Sequence, residues 1–303
     1  NKMNAIFKAQ LKNANLKLKE HYNNNDLIKQ CRIYAREKIN NALNKDGTLN
    51  WSKLPKLLSS NPKLEKSSKY EVLTKGLALA PSFISEYNTC NFASIGCGLG
   101  CLNFSGHGQE HMLHNGKHNV LIARIIRTIL YYEYRDQFLK QLHKEIKAFS
   151  NYVHNKNIKD NTQLICGIRL NVLSDILWEK IDITLFNNNH TVTFYDYTKN
   201  PNRNVSHIPN YSLTFSRNEM NDLYCEQAFN NNMNVAIVFD IKKGYTIPKT
   251  FRNKNVLDGD LHDARFLDSK NHYVGLRQKG FKKDTTGFII NTNSFFNPVK
   301  IAS

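Results

Sequence analysis

The apolar positions of this chain change period once. Before about residue 160 they recur at helical spacing, and after it they gather in short β-rich runs. The clearest helical stripe is Ile122, Ile126, Leu130, Tyr134, Phe138, Leu142 and Ile146, followed by Phe149 and Val153. It predicts one helix over 119–154, or two joined near Tyr134 and Arg135. Leu27, Cys31, Tyr34 and Leu43 predict an amphipathic helix over 26–45 that Asp26 can cap. Residues 1–25 are basic, show little periodicity and read as a short helix or an arm. Residues 46–69 hold Gly47, Pro55, Pro62 and many Ser and Lys, and read as a surface connector. Residues 70–118 read as loop-rich.

The β-rich runs are 164–172, 191–197, 211–215, 234–241, 273–277 and 287–290, with helical intervals at about 174–186 and 219–231. Val235 to Phe239 is almost continuously apolar, as a strand covered on both faces would be. This alternation predicts an α/β fold: a sheet or incomplete barrel with a basic helical N-terminal appendage. Some intervals are too short for a helix, which argues against a regular eight-fold barrel. The appendage is residues 1–70 and the core is 71–303.

Polar residues sit just past several of these runs: Asn171, Ser174 and Asp175; Asp196, Tyr197 and Lys199; Ser216 and Arg217; and Asp240. Sites in parallel α/β folds form at the carboxyl ends of strands, so these residues are candidates for one site. Such residues also simply terminate strands.

Charge adds a partner to this picture. The formal net charge is +17, and residues 1–75 alone carry 16 Lys and Arg against 6 Asp and Glu. Such an excess points to nucleic acid, whose phosphates release counterions to lysine and arginine. Runs such as Asn23 to Asn25 and Asn230 to Asn232 give a blander source, a compositional bias that inflates Lys and Asn. Candidate contacts with nucleic acid are Arg124, Arg127, Lys199, Arg203, Arg277 and Lys279, with Lys282 and Lys283 beyond them and with Tyr195 and Tyr197 as neighbouring aromatics. No apolar run is long enough for a membrane span, and no apolar signal block stands near the N-terminus. The expected setting is therefore a reducing cytoplasm, without membrane association; oligomeric state is left open.

Two constellations can carry chemistry. Cys90, Cys97 and Cys101 lie within twelve residues of a loop that also holds Gly96, Gly98 and Gly100. Three close thiolates can bind an iron–sulfur cluster with one iron open, or a zinc ion with a fourth ligand such as His107. His111, His114 and His118 follow at helical spacing. The alternative is a loop packed by reduced cysteines. The spacing matches neither a CxxC zinc pair nor the CxxxCxxC of most radical SAM enzymes. The second constellation is Asp258, Asp260, His262, Asp263, Arg265 and Asp268. Carboxylates so placed can bind magnesium, act as general bases or attack a sugar carbon; they can also be a solvated acidic turn in which Asp268 pairs with Arg265. Asp196, Asp260 and Asp263 are the candidate catalytic carboxylates. No G-x-S-x-G elbow, Walker A loop or H-E-x-x-H is present.

These motifs in this order resemble the bacteriophage gene product 88 family. The resemblance is carried by Cys90, Cys97 and Cys101 with Ser105-Gly106, by Arg124 and Arg127, and by Arg169-Leu-Asn171. It continues through Phe194-Tyr-Asp196-Tyr-Thr-Lys199, Asn210 to Ser216, Asp258-Gly-Asp260 with Asp263, and Val274-Gly-Leu276 with Lys279-Gly280. It spans about residues 70–290. It implies a phage or prophage origin and a host-cell cytoplasm, and brings no established activity. The cysteine loop is more weakly similar to other phage proteins related to radical SAM barrels. Base exchange of the tRNA-guanine transglycosylase type is a further analogy, from which no residue role carries over. The expectation is a nucleic-acid-modifying enzyme with a three-cysteine metal centre, zinc or iron–sulfur. The alternative is a non-catalytic, zinc-stabilised DNA- or RNA-binding protein or a phage structural protein.

Overall fold

The computed structural model describes residues 4–104, 117–279 and 284–301. Two helices open the chain, α1 (Ala5–Asn23) and α2 (Asp26–Asn40). Each starts on an asparagine cap: Asn4 accepts from the Phe7 amide at 2.7 Å, and Asn25 accepts from the Ile28 amide at 3.0 Å. The cap of the second helix is thus Asn25, one residue before the expected Asp26. The segment read as connector holds β1 (Leu58–Ser59) and the one-turn helix α3 (Pro62–Glu65). Then come β2 (Val72–Leu77), the one-turn helix α4 (Ile95–Leu99), α5 (Asn119–Glu133) and α6 (Arg135–Asp160). The long helical stripe breaks at Tyr134, whose φ of −126° leaves the helical region.

The second half contains β3 (Ile165–Arg169), α7 (Trp178–Ile181), α8 (Thr184–Asn187), β4 (Val192–Thr198) and β5 (Tyr211–Ser216). It continues with α9 (Cys225–Asn230), β6 (Val235–Phe239), β7 (Thr250–Phe251), β8 (Lys254–Asp258), β9 (Tyr273–Arg277) and β10 (Ile289–Ile290).

The strands form one open, mixed sheet in the order β1-β2-β3-β4-β5-β6-β9-β8-β7, with β10 also pairing with β6. From β2 to β8 every neighbouring pair is parallel, while β1 and β7 lie antiparallel at the two edges. β2 to β6 lie side by side in chain order, so their carboxyl ends share one rim. Successive residues of β4 point to opposite faces. Phe194 packs edge-on against Phe186 of α8, whereas Tyr195 packs against Phe266 on the other side.

One face is covered by helices. On α5, Leu121, Ile122, Ile125, Ile126, Ile129 and Leu130 are all buried, because α5 lies between α2 and the rest of the core. Each such side chain contributes about 1.5–3 kcal/mol. The other face is covered in part by the segment after β8, which lies over β4 and β5. The expected boundary at residue 70 does not coincide with a break in packing. Leu18, Tyr22, Ile28, Cys31, Ala35 and Ile39 of the first two helices belong to the same core as the sheet, and β1 is part of the sheet itself.

Candidate functional site

The rim formed by the carboxyl ends of the parallel strands encloses a cavity of about 190 Å³. Its walls come from the turn after β3 (Asn171 to Asp175), the end of β4 (Tyr197 to Lys199), Ser216 of β5, Val238 of β6 and residues 276–279 at the end of β9. Cys90, Cys97 and Cys101 close it from above, with Tyr22 of α1 beside them. The three thiols read as a cluster in the sequence line one cavity with Asn171, Ser174, Asp175, Tyr197, Lys199 and Ser216 of the strand-end set, whereas Asp196, Arg217 and Asp240 do not line it.

The cysteine loop is held by identifiable bonds. Ser94 caps α4 by accepting from the Cys97 amide at 3.1 Å, and donates to Glu219 at 2.6 Å. Glu219 also accepts from the Gly96 amide at 2.8 Å. A carboxylate at the start of this turn satisfies donors that would otherwise be orphaned. Tyr22 donates to the Gly98 carbonyl at 3.0 Å. Gly98 allows a close approach: a Cβ there would stand 2.2 Å from a methyl of buried Leu18, which would have to move. The first helix thus seats the cysteine loop.

Each thiol has a distinct neighbour. Cys90 lies 3.4 Å from the Leu173 carbonyl and can donate to it. Cys97 faces Lys199, and Cys101 lies near Arg124. Burial pushes Cys90 up to about 12 and Cys101 up to about 11, with the neighbouring thiols adding to the shift; burial raises Cys97 as well. Burial works against the Lys199 ammonium, but Cys97, Asp175 and the other two thiols outweigh it and raise its pKa. The Lys199 Nζ donates to Ser216 at 3.0 Å.

Below the thiols, Lys63 and Arg169 line the cavity and share one carboxylate. Asp263 has no exposed side-chain surface and sits 3.0 Å from Lys63 Nζ and 3.2 Å from Arg169 Nη1. It also accepts from the Tyr195 hydroxyl at 3.2 Å. Burial alone would raise the Asp263 pKa, yet Arg169 and Lys63 hold it far below the usual carboxylate range. Arg169 stacks over the Tyr197 ring at 4.7 Å, and Lys63 lies over the same ring at 5.3 Å.

The three carboxylates expected to be catalytic do not meet, and none of them lines the cavity. Asp263 lies beneath the cavity floor. Asp260 is at the rim, bonded to the Arg277 amide at 3.0 Å and to Lys279 at 2.8 Å. Asp196 is on the far face of β4, where it accepts from the Asn171 amide at 2.7 Å and from Tyr211 at 2.8 Å. Burial raises Asp196 to about 7. It positions the cavity wall through Asn171, whose own side chain accepts from Ser174 and Trp178. The expected pair of Arg265 with Asp268 is present at 3.2 Å, but the acidic stretch is not a solvated turn: Asp258 makes a two-pronged pair with Arg277 at 2.8 Å.

The expected nucleic-acid contacts divide in the same way. Lys199, Arg277 and Lys279 line the cavity. Arg203 does not: its side chain is fully buried and paired with Asp175 and Glu179, so it clamps the wall from behind. Arg127 is buried and donates to the Lys56 carbonyl at 2.7 Å, and Arg124 donates to Asn103 at 2.8 Å. Arg217 pairs with Asp222, and Asp240 accepts from Thr292. His118 caps α5 by accepting from the Leu121 amide at 3.2 Å. His107, His111, His114, Lys282 and Lys283 lie outside the described residues. Lys63 and Tyr22 reach the site without any motif of their own, and Arg169 was marked only as the first residue of a motif that carries the family resemblance.

Among the described residues, no group of three or more His, Cys, Asp or Glu converges at the spacing for one metal ion. The three thiols are donors of the soft kind that iron and zinc take, but they line the cavity rather than meet at a point.

The fold and cavity define an α/β protein with an open, largely parallel sheet and a thiol-lined cavity at its strand ends. The model of the family described as Gene product 88 matches residues 52–292, and the chain belongs to that family. The match begins after the first two helices, although these pack into the same core. No curated protein and no solved structure matches the chain. Among the described residues, no helix is long and apolar enough to cross a membrane.

Proposed function

We propose that this phage-type protein is a nucleic-acid-modifying enzyme whose active centre is an iron–sulfur cluster held by Cys90, Cys97 and Cys101. The observation that carries the reading is that all three thiols face one cavity at the carboxyl ends of parallel strands, with Lys199 among them. A tetrahedral zinc would draw its sulfurs to about 3.8 Å from one another. A cluster spreads its thiolates over separate irons, which suits thiols that line a cavity without converging. When bound, such a cluster supplies electron-transfer chemistry at an iron open to substrate.

The chain's own residues have defined tasks. Ser94 and Glu219 hold the loop that carries two of the thiols. The Lys199 ammonium offsets the negative charge of the thiolates. Asn171, Ser174 and Asp175, fixed from behind by Asp196 and Arg203, shape the wall against which substrate lies. The net charge of +17 attracts a polyanion to the molecule.

Metal and sulfide analysis of anaerobically prepared protein tests this reading. Iron with equivalent acid-labile sulfide, lost in Cys90→Ser, Cys97→Ser and Cys101→Ser, is the expected result. Colourless protein with one zinc favours the non-catalytic, metal-stabilised alternative. Protein that takes up neither metal overturns both.

A further inference from the structure

We infer that the cavity floor is a phosphate subsite for a single nucleotide, built from Lys63, Arg169, Tyr197 and Lys199. The inference rests on the reading of the substrate as nucleic acid and narrows it to one nucleotide unit, free or drawn out of a strand.

The first argument is charge. Lys63 and Arg169 are two cations on one carboxylate, Asp263. Lys199 has no carboxylate at ion-pair distance among the described residues; its Nζ meets the neutral Ser216 hydroxyl. Asp175, the one acid in the wall, turns its oxygens to Arg203 and to the Lys199 main-chain amide. Even with Cys90, Cys97 and Cys101 counted as thiolates beside Asp175, the lining carries more cations than anions, because Lys63, Arg169, Lys199, Arg277 and Lys279 all face it.

The second argument is a set of unused donors. The Tyr197 hydroxyl and Arg169 Nε are shielded from solvent and have no hydrogen-bond partner among the described residues. Buried polar groups are normally bonded, and an unbonded one calls for an explanation such as a ligand. The Tyr197 ring lies under both Arg169 and Lys63, and its hydroxyl has Arg265 and Arg169 as well as Asp263 and Asp268 near it. A phosphate offers acceptors to all of these groups, and arginine favours phosphate geometry.

The third argument is size and lining. A cavity of about 190 Å³ compares with the roughly 150 Å³ that accommodates one benzene. With no cluster on its thiols it has room for one base-sized ring. Val238, Leu276 and Phe288 give apolar walls for the faces of such a ring. A duplex does not fit, so a base within one has to leave its stack to enter.

Calorimetric titration of the full chain tests the subsite, using the four ribonucleoside 5′-monophosphates, the matching nucleosides, inorganic phosphate and citrate. The expected result is that at least one mononucleotide binds about tenfold or more tightly than its nucleoside, a difference of about 1.4 kcal/mol. Tyr197→Phe should weaken that mononucleotide about tenfold without lowering the melting temperature of the free chain, because the lost hydroxyl bonds nothing there. Lys199→Gln should weaken it as well. Equal binding of nucleotide and nucleoside, no nucleotide binding, an equal response to citrate, or unchanged affinity in Tyr197→Phe each overturns the subsite. Metal content read on the same sample separates the two proposals. Phosphate-dependent binding by metal-free protein leaves the subsite standing without the cluster, and iron-loaded protein indifferent to phosphate overturns the subsite alone.

Discussion

Replacing Asp263 with asparagine removes the carboxylate that Lys63 and Arg169 share. Asp263 has no exposed side-chain surface, and its neighbours lie 3.0 Å and 3.2 Å away. Breaking a buried pair by removing one partner costs about 3–5 kcal/mol, because the surviving charges stay buried. Lys63 is already shifted down by burial and can shed its proton, so the cost should fall at the low end of that range. Unfolding entropy of about 2.1 cal/mol/K per residue, over 303 residues, makes that range a drop on the order of 5–8 °C in melting temperature. The pH dependence has a definite sign. The folded pKa of Asp263 lies below its unfolded value, so its stabilisation is fully present above about pH 4 and is lost as pH falls through the folded value. Thermal melts followed by circular dichroism should show Asp263→Asn clearly below the parent at neutral pH, with the gap narrowing in acid. A variant that melts within 1 °C of the parent at neutral pH, or a gap that widens in acid, refutes the reasoning.

Asp196 should behave in the opposite sense. Its folded pKa of about 7 lies above the unfolded value, so its contribution to stability declines as pH rises from about 4 to about 7; melts of Asp196→Asn across that range should show the variant gaining on the parent as pH increases. Glu219→Ala removes the two bonds that hold Ser94 and the Gly96 amide. Charge-assisted bonds contribute about 1.5–3 kcal/mol each, so chemical denaturation should show a loss of that order, and iron retention should fall with it. Gly98→Ala forces a methyl onto buried Leu18; such overpacking costs about 1–3 kcal/mol, and a melting temperature equal to the parent's would show that α1 does not seat the loop as described.

Much of the sheet was legible because its strands are apolar on both faces or flanked by turn residues. The runs at 191–197, 211–215 and 273–277 match β4, β5 and β9 to within a residue at either end. The strand that escaped notice in the core is β2, where Thr74, Lys75 and Gly76 interrupt the apolar signal. Thr74 is nevertheless buried, close to the Tyr195 hydroxyl on the inner side of the sheet. β8 was hidden inside what read as an acidic turn. That turn misled for a physical reason: carboxylate spacing along the chain does not reveal that Arg277, Lys279, Lys63 and Arg169 arrive from other elements to neutralise it. The cysteine loop and the strand-end residues Asn171, Ser174, Asp175, Lys199 and Ser216 were legible as candidates, and the structure adds that they face one another. Lys63 and Tyr22 were not legible, because a lone lysine after a proline and a tyrosine in a basic helix carry no pattern. Only the fold brings them to the cavity.

The central claim is that Cys90, Cys97 and Cys101 together hold a metal cluster in the cavity beside Lys199. Anomalous diffraction at the iron absorption edge, from crystals of anaerobically prepared protein, tests it most directly. The account predicts a compact group of anomalous peaks in the cavity, with irons about 2.3 Å from each of the three sulfurs, the range of metal–thiolate bonds. Iron peaks elsewhere in the molecule, or a cavity of three free thiols in protein that has been offered iron and sulfide, would contradict it.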